Sequence, residues 1–284
     1  MGPSMKIGSL CTGYGGLDLA AEAHFNANTV WCAEFDPYAS EVIKQRFNIP
    51  NYGDIKNINW TSVEKIDVLT AGYPCQPFSQ AGERKGLNDE RHIFPYILEA
   101  ISILRPRYVL LENVRGHLSL GLKEVLAGLT TIGYDAKWQI VRASDVGAPH
   151  QRARLFIIAY PNGLNGRVSP SIKDVTNAAN DGLTQRYASG YEETITRVKD
   201  VGLSATNKRR FSLEMEKQDV PDVLDQGRLN PKYVEYMMGL PSGWVTDTKL
   251  SNAQQLKMLG NGVVPQQAKL ALELLAPIER RVIW

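Results

Sequence analysis

The chain has 284 residues, 43% of them hydrophobic and 22% charged, with a formal net charge of +2. That is an ordinary balance for a soluble globular protein, with enough apolar sequence for one large domain or a domain with a smaller lobe. No run of about 18 apolar residues occurs and no secretory pattern opens the chain, so neither a membrane span nor export is expected. Met1 to Ser4, ahead of Met5, read as a cloning remnant and are set aside. Three cysteines, Cys11, Cys32 and Cys75, make an odd and sparse set, which argues against a disulfide framework and for a reducing compartment. Four histidines and no paired ligand spacing make a metal site unexpected.

In chain order, short apolar runs at Ile7–Cys11, Val30–Glu34, Val68–Gly72, Tyr108–Val114 and Leu155–Tyr160 predict buried strands. Helix-spaced apolar residues lie between them at Gly16–Phe25, Tyr38–Phe47, Ile93–Leu104 and Leu122–Ile132. Alternation of this kind predicts an α/β fold with a doubly wound, mostly parallel sheet, in which ligands gather at the carboxyl ends of the strands. From about Asn162 to Gln226 the texture changes to Asn, Thr, Ser, Gly and balanced charge, including Lys208-Arg209-Arg210. This stretch predicts a small second lobe or a long functional insertion. Three helices should follow, over Tyr233–Met238, Gln254–Leu259 and Pro265–Leu275. The expected organisation is a catalytic unit over 5–161, a recognition region over 162–226, and a segment over 227–284 that returns to the catalytic unit.

The residues that end the predicted strands carry the chemistry. The first strand runs into Thr12-Gly13-Tyr14-Gly15-Gly16, whose glycines permit a tight turn and close ligand approach ahead of a helix N-terminus. The second ends in Glu34-Phe35-Asp36, an acid placed to meet a ribose, although a surface acid would look the same. Gly53-Asp54-Ile55 is a ligand turn or an ordinary one. The third strand leads to Tyr73-Pro74-Cys75-Gln76-Pro77, where two prolines flank a thiol that either acts as a nucleophile or merely packs. The fourth ends in Glu112-Asn113-Val114, placing a carboxylate at the same edge, where partial burial would raise its pKa. Strand alternation through Gln151-Arg152-Ala153-Arg154 sends Arg152 and Arg154 to one side, to meet phosphate, a carbonyl oxygen or a surface acid.

Taken in order, the Gly13–Gly16 loop, Pro74-Cys75-Gln76, Glu112-Asn113-Val114 and the Arg152/Arg154 pair resemble the DNA cytosine-5 methyltransferase family. Met258-Leu259-Gly260-Asn261-Gly262-Val263-Val264 resembles its last block, and Arg228 to Pro241 the block before it. The likeness covers nearly the whole chain outside Asn162–Gln226. It implies a Rossmann-like S-adenosylmethionine-dependent methyltransferase with a small target-recognition lobe. The implied partner is double-stranded DNA, with the target cytosine flipped from the helix.

By the same resemblance, Cys75 adds to carbon 6 of cytosine, Glu112 holds the ring nitrogen and amine edge, Arg154 holds the ring carbonyl, and Arg152 positions these groups. Cys11, Gly13, Tyr14, Gly15, Gly16 and Pro74 would line the cofactor, Glu34 with Phe35 would meet its ribose side, and Asp54 with Ile55 its adenine. Asn261, Gly262 and Val263 would close over its methionine end. Ser79, Gln80, Arg84 and Lys85, in the loop to Asp89, would meet DNA, as would Lys208, Arg209 and Arg210, with Gln185 a further base-reading candidate. Phosphate contact is an equal reading for the basic trio.

Two departures stand out: Cys11 occupies a position usually held by an adenine-packing phenylalanine, and His150 stands where glutamine is common. A monomer in a bacterial cytoplasm, cell- or phage-encoded, is expected. Competing readings are a tRNA cytosine methyltransferase, disfavoured because Ser79 follows the Pro-Cys-Gln-Pro-Phe run and no cysteine lies beyond Cys75; a silent DNA-binding paralogue; and a nicotinamide oxidoreductase built on the glycine loop and Glu34.

Overall fold

A computed structural model describes residues 4–74, 93–163 and 219–276. Six strands form one sheet in the order β2-β1-β3-β4-β6-β5: β1 (Met5–Leu10), β2 (Ala27–Ala33), β3 (Val68–Gly72), β4 (Tyr108–Val114), β5 (Tyr134–Val141) and β6 (Arg154–Pro161). Strands β1 to β4 pair in parallel, and β6 runs antiparallel between β4 and β5. A mostly parallel, doubly wound sheet is therefore the architecture, with five of the six strands pointing the same way.

Period-two alternation splits the core into two layers. On one face Leu110, Phe156 and Ile158 join Ile7 and Val68 under helix α1 (Gly16–Phe25) and α2 (Pro37–Arg46). On the other, Val109, Leu111, Leu155 and Ile157 pack beneath α3 (Phe94–Leu104) and α5 (Leu122–Thr131), with the short α4 (His117–Leu120) between β4 and α5. Because both faces are covered, the central strands read as near-continuous apolar runs. Strand β5 was not anticipated: it lies at the sheet edge, and Asp135, Lys137 and Gln139 interrupt its apolar residues.

The last described stretch, 219–276, holds a two-residue-per-strand hairpin, β7 (Leu224–Asp225) and β8 (Arg228–Leu229), and helices α6 (Pro231–Met237), α7 (Asn252–Asn261) and α8 (Pro265–Leu275). The first two helices start where the sequence supplies a cap: Asn230 before Pro231, and Ser251 in a reciprocal box with Gln254. Helix α8 lays Ala268, Ala271, Leu272 and Leu275 against the layer containing Leu17 and Ala21 of α1.

Buried Glu235 of α6 orders the turn that follows, accepting from the backbone N–H groups of Gly243, Val245 and Thr246 and from the Thr246 hydroxyl. No helix among the described residues is long and apolar enough to cross a membrane. No group of three or more His, Cys, Asp or Glu among them could hold a metal ion.

Candidate active site

The site lies at the edge where β1, β2, β3 and β4 end. Parallel strands deliver their last residues there, whereas an antiparallel strand delivers its first. Inserting β6 beside β4 consequently pairs Val114 with Arg154 and brings a strand's opening arginine to the carboxylate edge. Arg154 Nε donates to Glu112 Oε1 at 3.0 Å. Glu112 is 7% exposed, and burial pushes its pKa up to about 7 against the opposing pull of Arg154 and Arg152. Gly72 of β3 pairs with Glu112 in register, and a Cβ there would lie 3.5 Å from Glu112 Oε2. The end of the strand leading to Pro74 and Cys75 thus sits beside the carboxyl group. Pro74 is exposed, while Cys75, Ser79, Gln80, Arg84 and Lys85 lie outside the described residues, as do Gln185, Lys208, Arg209 and Arg210.

Arg152 stands just ahead of β6, near enough to Arg154 and Glu112 to act on both. Its φ is +32°, ahead of the first residue of β6, so period-two reasoning does not reach it. Its guanidinium crosses to the junction of α7 and α8, donating to the carbonyls of Gly260 (2.8 Å) and Gly262 (2.6 Å) on either side of exposed Asn261. Gln267, fully buried on the apolar face of α8, donates to the carbonyls of Val141 and Arg152 at 2.7 Å each and so fixes that turn. His150, just before it, is held at 2.9 Å from the Met237 carbonyl oxygen.

The glycine loop forms the other wall. Gly13 has φ +58°, and a Cβ there would meet nothing within 4 Å, leaving the loop open to an incoming ligand. Gly16 is closed on its own side, since a Cβ would fall 2.1 Å from the Val263 carbonyl oxygen. Glu34 accepts from Gly13 N–H (2.9 Å) and Asp36 N–H (2.8 Å), binding the loop to the end of β2. Burial raises its pKa, while those backbone donors oppose the shift. Phe35 beside it is 77% exposed. Asp54 caps a short turn by accepting from Lys56 N–H, and Ile55 turns into the core.

The Tyr14 side chain is wholly buried: its hydroxyl donates to the Val263 carbonyl at 2.7 Å, and Trp244 Nε1 donates to the Tyr14 carbonyl at 2.8 Å. Cys11 is half-buried with φ +51°, and burial, then Glu34 and Asp54, push its thiol well above the ordinary range.

Several residues that build this edge were not singled out from sequence. Asn51 accepts from the N–H groups of Glu34 and Gly53, joining two of the expected segments. Asp18, 1% exposed, accepts from the Thr70 hydroxyl under the loop, and burial raises its pKa to about 6. A carboxylate on the inner face of an apolar helix is the one signal that could have marked Asp18.

Residues 5–220 match the family model described as C-5 cytosine-specific DNA methylase. The chain belongs to that family. Type II methyltransferase M.Bsp6I of Bacillus sp. (strain RFL6) is 37% identical over 166 residues, which is 56% of this chain and 53% of that protein. The chain therefore spans about half the length of that relative. M.NlaX of Neisseria lactamica is 28% identical over 305 residues, covering 94% of this chain and 97% of the relative. The S. pombe Dnmt2 methyltransferase structure superposes with a TM-score of 0.63 at 19% identity, over 95% of this chain and 98% of that one, a likeness of fold. The fold likeness and the mostly parallel sheet agree on a Rossmann-like architecture for this chain.

Proposed function

We propose that this chain transfers a methyl group from S-adenosylmethionine to carbon 5 of a flipped cytosine in a specific duplex DNA sequence, through a covalent adduct of Cys75. The observation that carries the reading is the buried Glu112–Arg154 pair beside the strand end leading to Cys75. A carboxyl group with a pKa near 7 is partly protonated at neutral pH, so it can donate to the ring nitrogen and accept from the amine. The guanidinium next to it is a donor for the ring carbonyl, where negative charge grows when a thiolate adds to carbon 6.

The Cys75 thiolate forms a bond to carbon 6, and the 5,6 double-bond electrons make carbon 5 nucleophilic. Carbon 5 takes the methyl group as the sulfur–methyl bond breaks and the donor leaves as the neutral thioether, and carbon 5 then loses its proton to a base. Re-formation of the 5,6 double bond expels Cys75.

The residues at the glycine loop fit the donor. Open space over Gly13, the buried carboxylate of Glu34 and the exposed ring of Phe35 make a polar and aromatic edge of the kind a nucleoside needs. When bound, S-adenosylmethionine supplies an electrophilic methyl group on a sulfonium. Asn261, exposed on the junction gripped by Arg152, would close over the methionine end of the donor. The recognition region around 162–226, with Lys208, Arg209 and Arg210, would read the DNA, and a monomer without metal suffices for this chemistry.

Incubation with labelled S-adenosylmethionine and mixed-sequence duplex, followed by nucleoside mass spectrometry, tests the reading. 5-Methylcytosine from the native chain and none from Cys75→Ala would support it. Label found in tRNA alone would overturn the DNA assignment, and product from Cys75→Ala would overturn the nucleophile.

A further inference from the structure

The exit of β3 is anchored by residues that the reaction as written does not use. Gly72 pairs with Glu112, and the next residue, Tyr73, is held by the next residue of β4: Asn113 Nδ2 donates to the Tyr73 carbonyl at 3.1 Å. The Tyr73 side chain is also fixed. It is 6% exposed, its ring leans on Phe94 of α3 with centroids 5.6 Å apart, and its hydroxyl lies 3.1 Å from Nε2 of His117.

His117 is 2% exposed, edge-on to the Tyr73 ring, and covered by Gly121, where a Cβ would fall 2.2 Å from the imidazole. Burial lowers its pKa to about 4, so the imidazole is neutral at physiological pH and shares one proton with the phenol as an uncharged hydrogen bond. A hydroxyl and an imidazole buried this deeply are costly unless matched to each other, so the pair specifies a single arrangement in a layer that apolar side chains would otherwise fill.

We propose that Tyr73, gripped by His117 and Asn113, is a positioning residue that sets the register of the β3 exit against Glu112 and so the reach of the Cys75 thiol to the cytosine ring. The inference rests on the reading of Cys75 as nucleophile. A single residue, Pro74, separates Tyr73 from Cys75, and its φ is fixed, so a small rotation at Tyr73 is passed on rather than absorbed. Nucleophilic addition is sensitive to misplacement on this scale. The phenol touches neither base nor cofactor in this scheme.

The test uses the full chain with duplex DNA and S-adenosylmethionine, and compares Tyr73→Phe, His117→Leu, the double variant and His117→Gln. Single-turnover methyl transfer at saturating cofactor and DNA is measured, alongside the Kd for S-adenosylhomocysteine and the thermal midpoint. Tyr73→Phe and His117→Leu should each slow the chemical step about tenfold, and the double variant no further, because both remove one interaction. Affinity for S-adenosylhomocysteine should stay within about twofold, a separation of rate from binding that general loosening of the fold would not give.

His117→Gln, whose amide can still meet the phenol, should recover much of the rate. Should His117→Leu fail to fold, Tyr73→Phe decides, since it keeps the ring. Native single-turnover rates in Tyr73→Phe, or rate losses that track lost stability, would overturn the inference while Cys75→Ala stays inactive. An active Cys75→Ala would overturn the nucleophile reading and the inference with it.

Discussion

Arg154 opens an antiparallel strand and meets Glu112 near the end of a parallel one, with Nε and Oε1 3.0 Å apart and both side chains largely buried. The pair is an electrostatic compromise. Burial drives Glu112 towards its neutral form, and the guanidinium keeps it within reach of ionisation near pH 7.

Replacing Arg154 by Met should therefore raise the Glu112 pKa further. It should also slow methyl transfer by roughly a hundredfold or more through loss of the carbonyl donor. Carbon-13 NMR of glutamate-labelled protein reads the first effect and single-turnover kinetics the second. An unmoved carboxyl titration would show that Arg154 is not what holds Glu112.

Asp18 gives a pH signature of its own. Its folded pKa of about 6 stands above the ordinary 3.8, so the native state binds this proton more tightly than the unfolded chain does. The stabilising contribution is complete below about pH 4 and is lost as the pH rises through 6. About 2 pH units at about 1.4 kcal/mol each sets an upper scale of roughly 3 kcal/mol. Asp18→Asn should flatten this slope, gaining on the native chain in urea melts at pH 7.5 relative to pH 4.5. Parallel losses at both pH values would contradict the assignment.

Tyr14 and Gly262 make a steric pair. A Cβ on Gly262 would lie 1.8 Å from the Tyr14 ring, so Gly262→Ala should cost about 1–3 kcal/mol by overpacking. Tyr14→Phe removes only the hydroxyl bonded to the Val263 carbonyl and should cost about 1–2 kcal/mol. Denaturant midpoints measure both, and the double variant should recover none of the Gly262→Ala loss, because the ring remains.

Arg152→Lys keeps the charge and loses the rigid planar guanidinium whose Nη2 bonds both the Gly260 and Gly262 carbonyls. Asn261 lies between those carbonyls, so affinity for S-adenosylhomocysteine should fall about tenfold, with a smaller effect on single-turnover rate at saturating cofactor. Calorimetry measures the first. A loss confined to the chemical step would place Arg152 with the base instead.

The central strands and the edge they define were legible in sequence because buried parallel strands write themselves as apolar runs, and Glu112 ends such a run. Helix α8 was recognisable from its spacing alone. Strand β5 was not, since an edge position lets polar residues interrupt it. Arg152 illustrates another limit: the residue was legible, but the left-handed backbone that turns it away from the strand was not. Tyr14 is legible only as part of a glycine loop, and its burial is not, because its partners Val263 and Trp244 lie more than two hundred residues away. The pairing of Tyr73 with His117 and the hold of Gln267 on Arg152 are likewise matters of three-dimensional register, which local pattern does not encode.

The bonds from Tyr14 to Val263 and from Trp244 to Tyr14 also govern timing. A ribosome that has made β1 and the glycine loop must add some 230 further residues before either bond can form. The loop's second wall is thus among the last features to be completed during synthesis. Nascent chains ending before residue 244 lack both clasps, so the glycine loop gains its last two partners only when the C-terminal helices are in place.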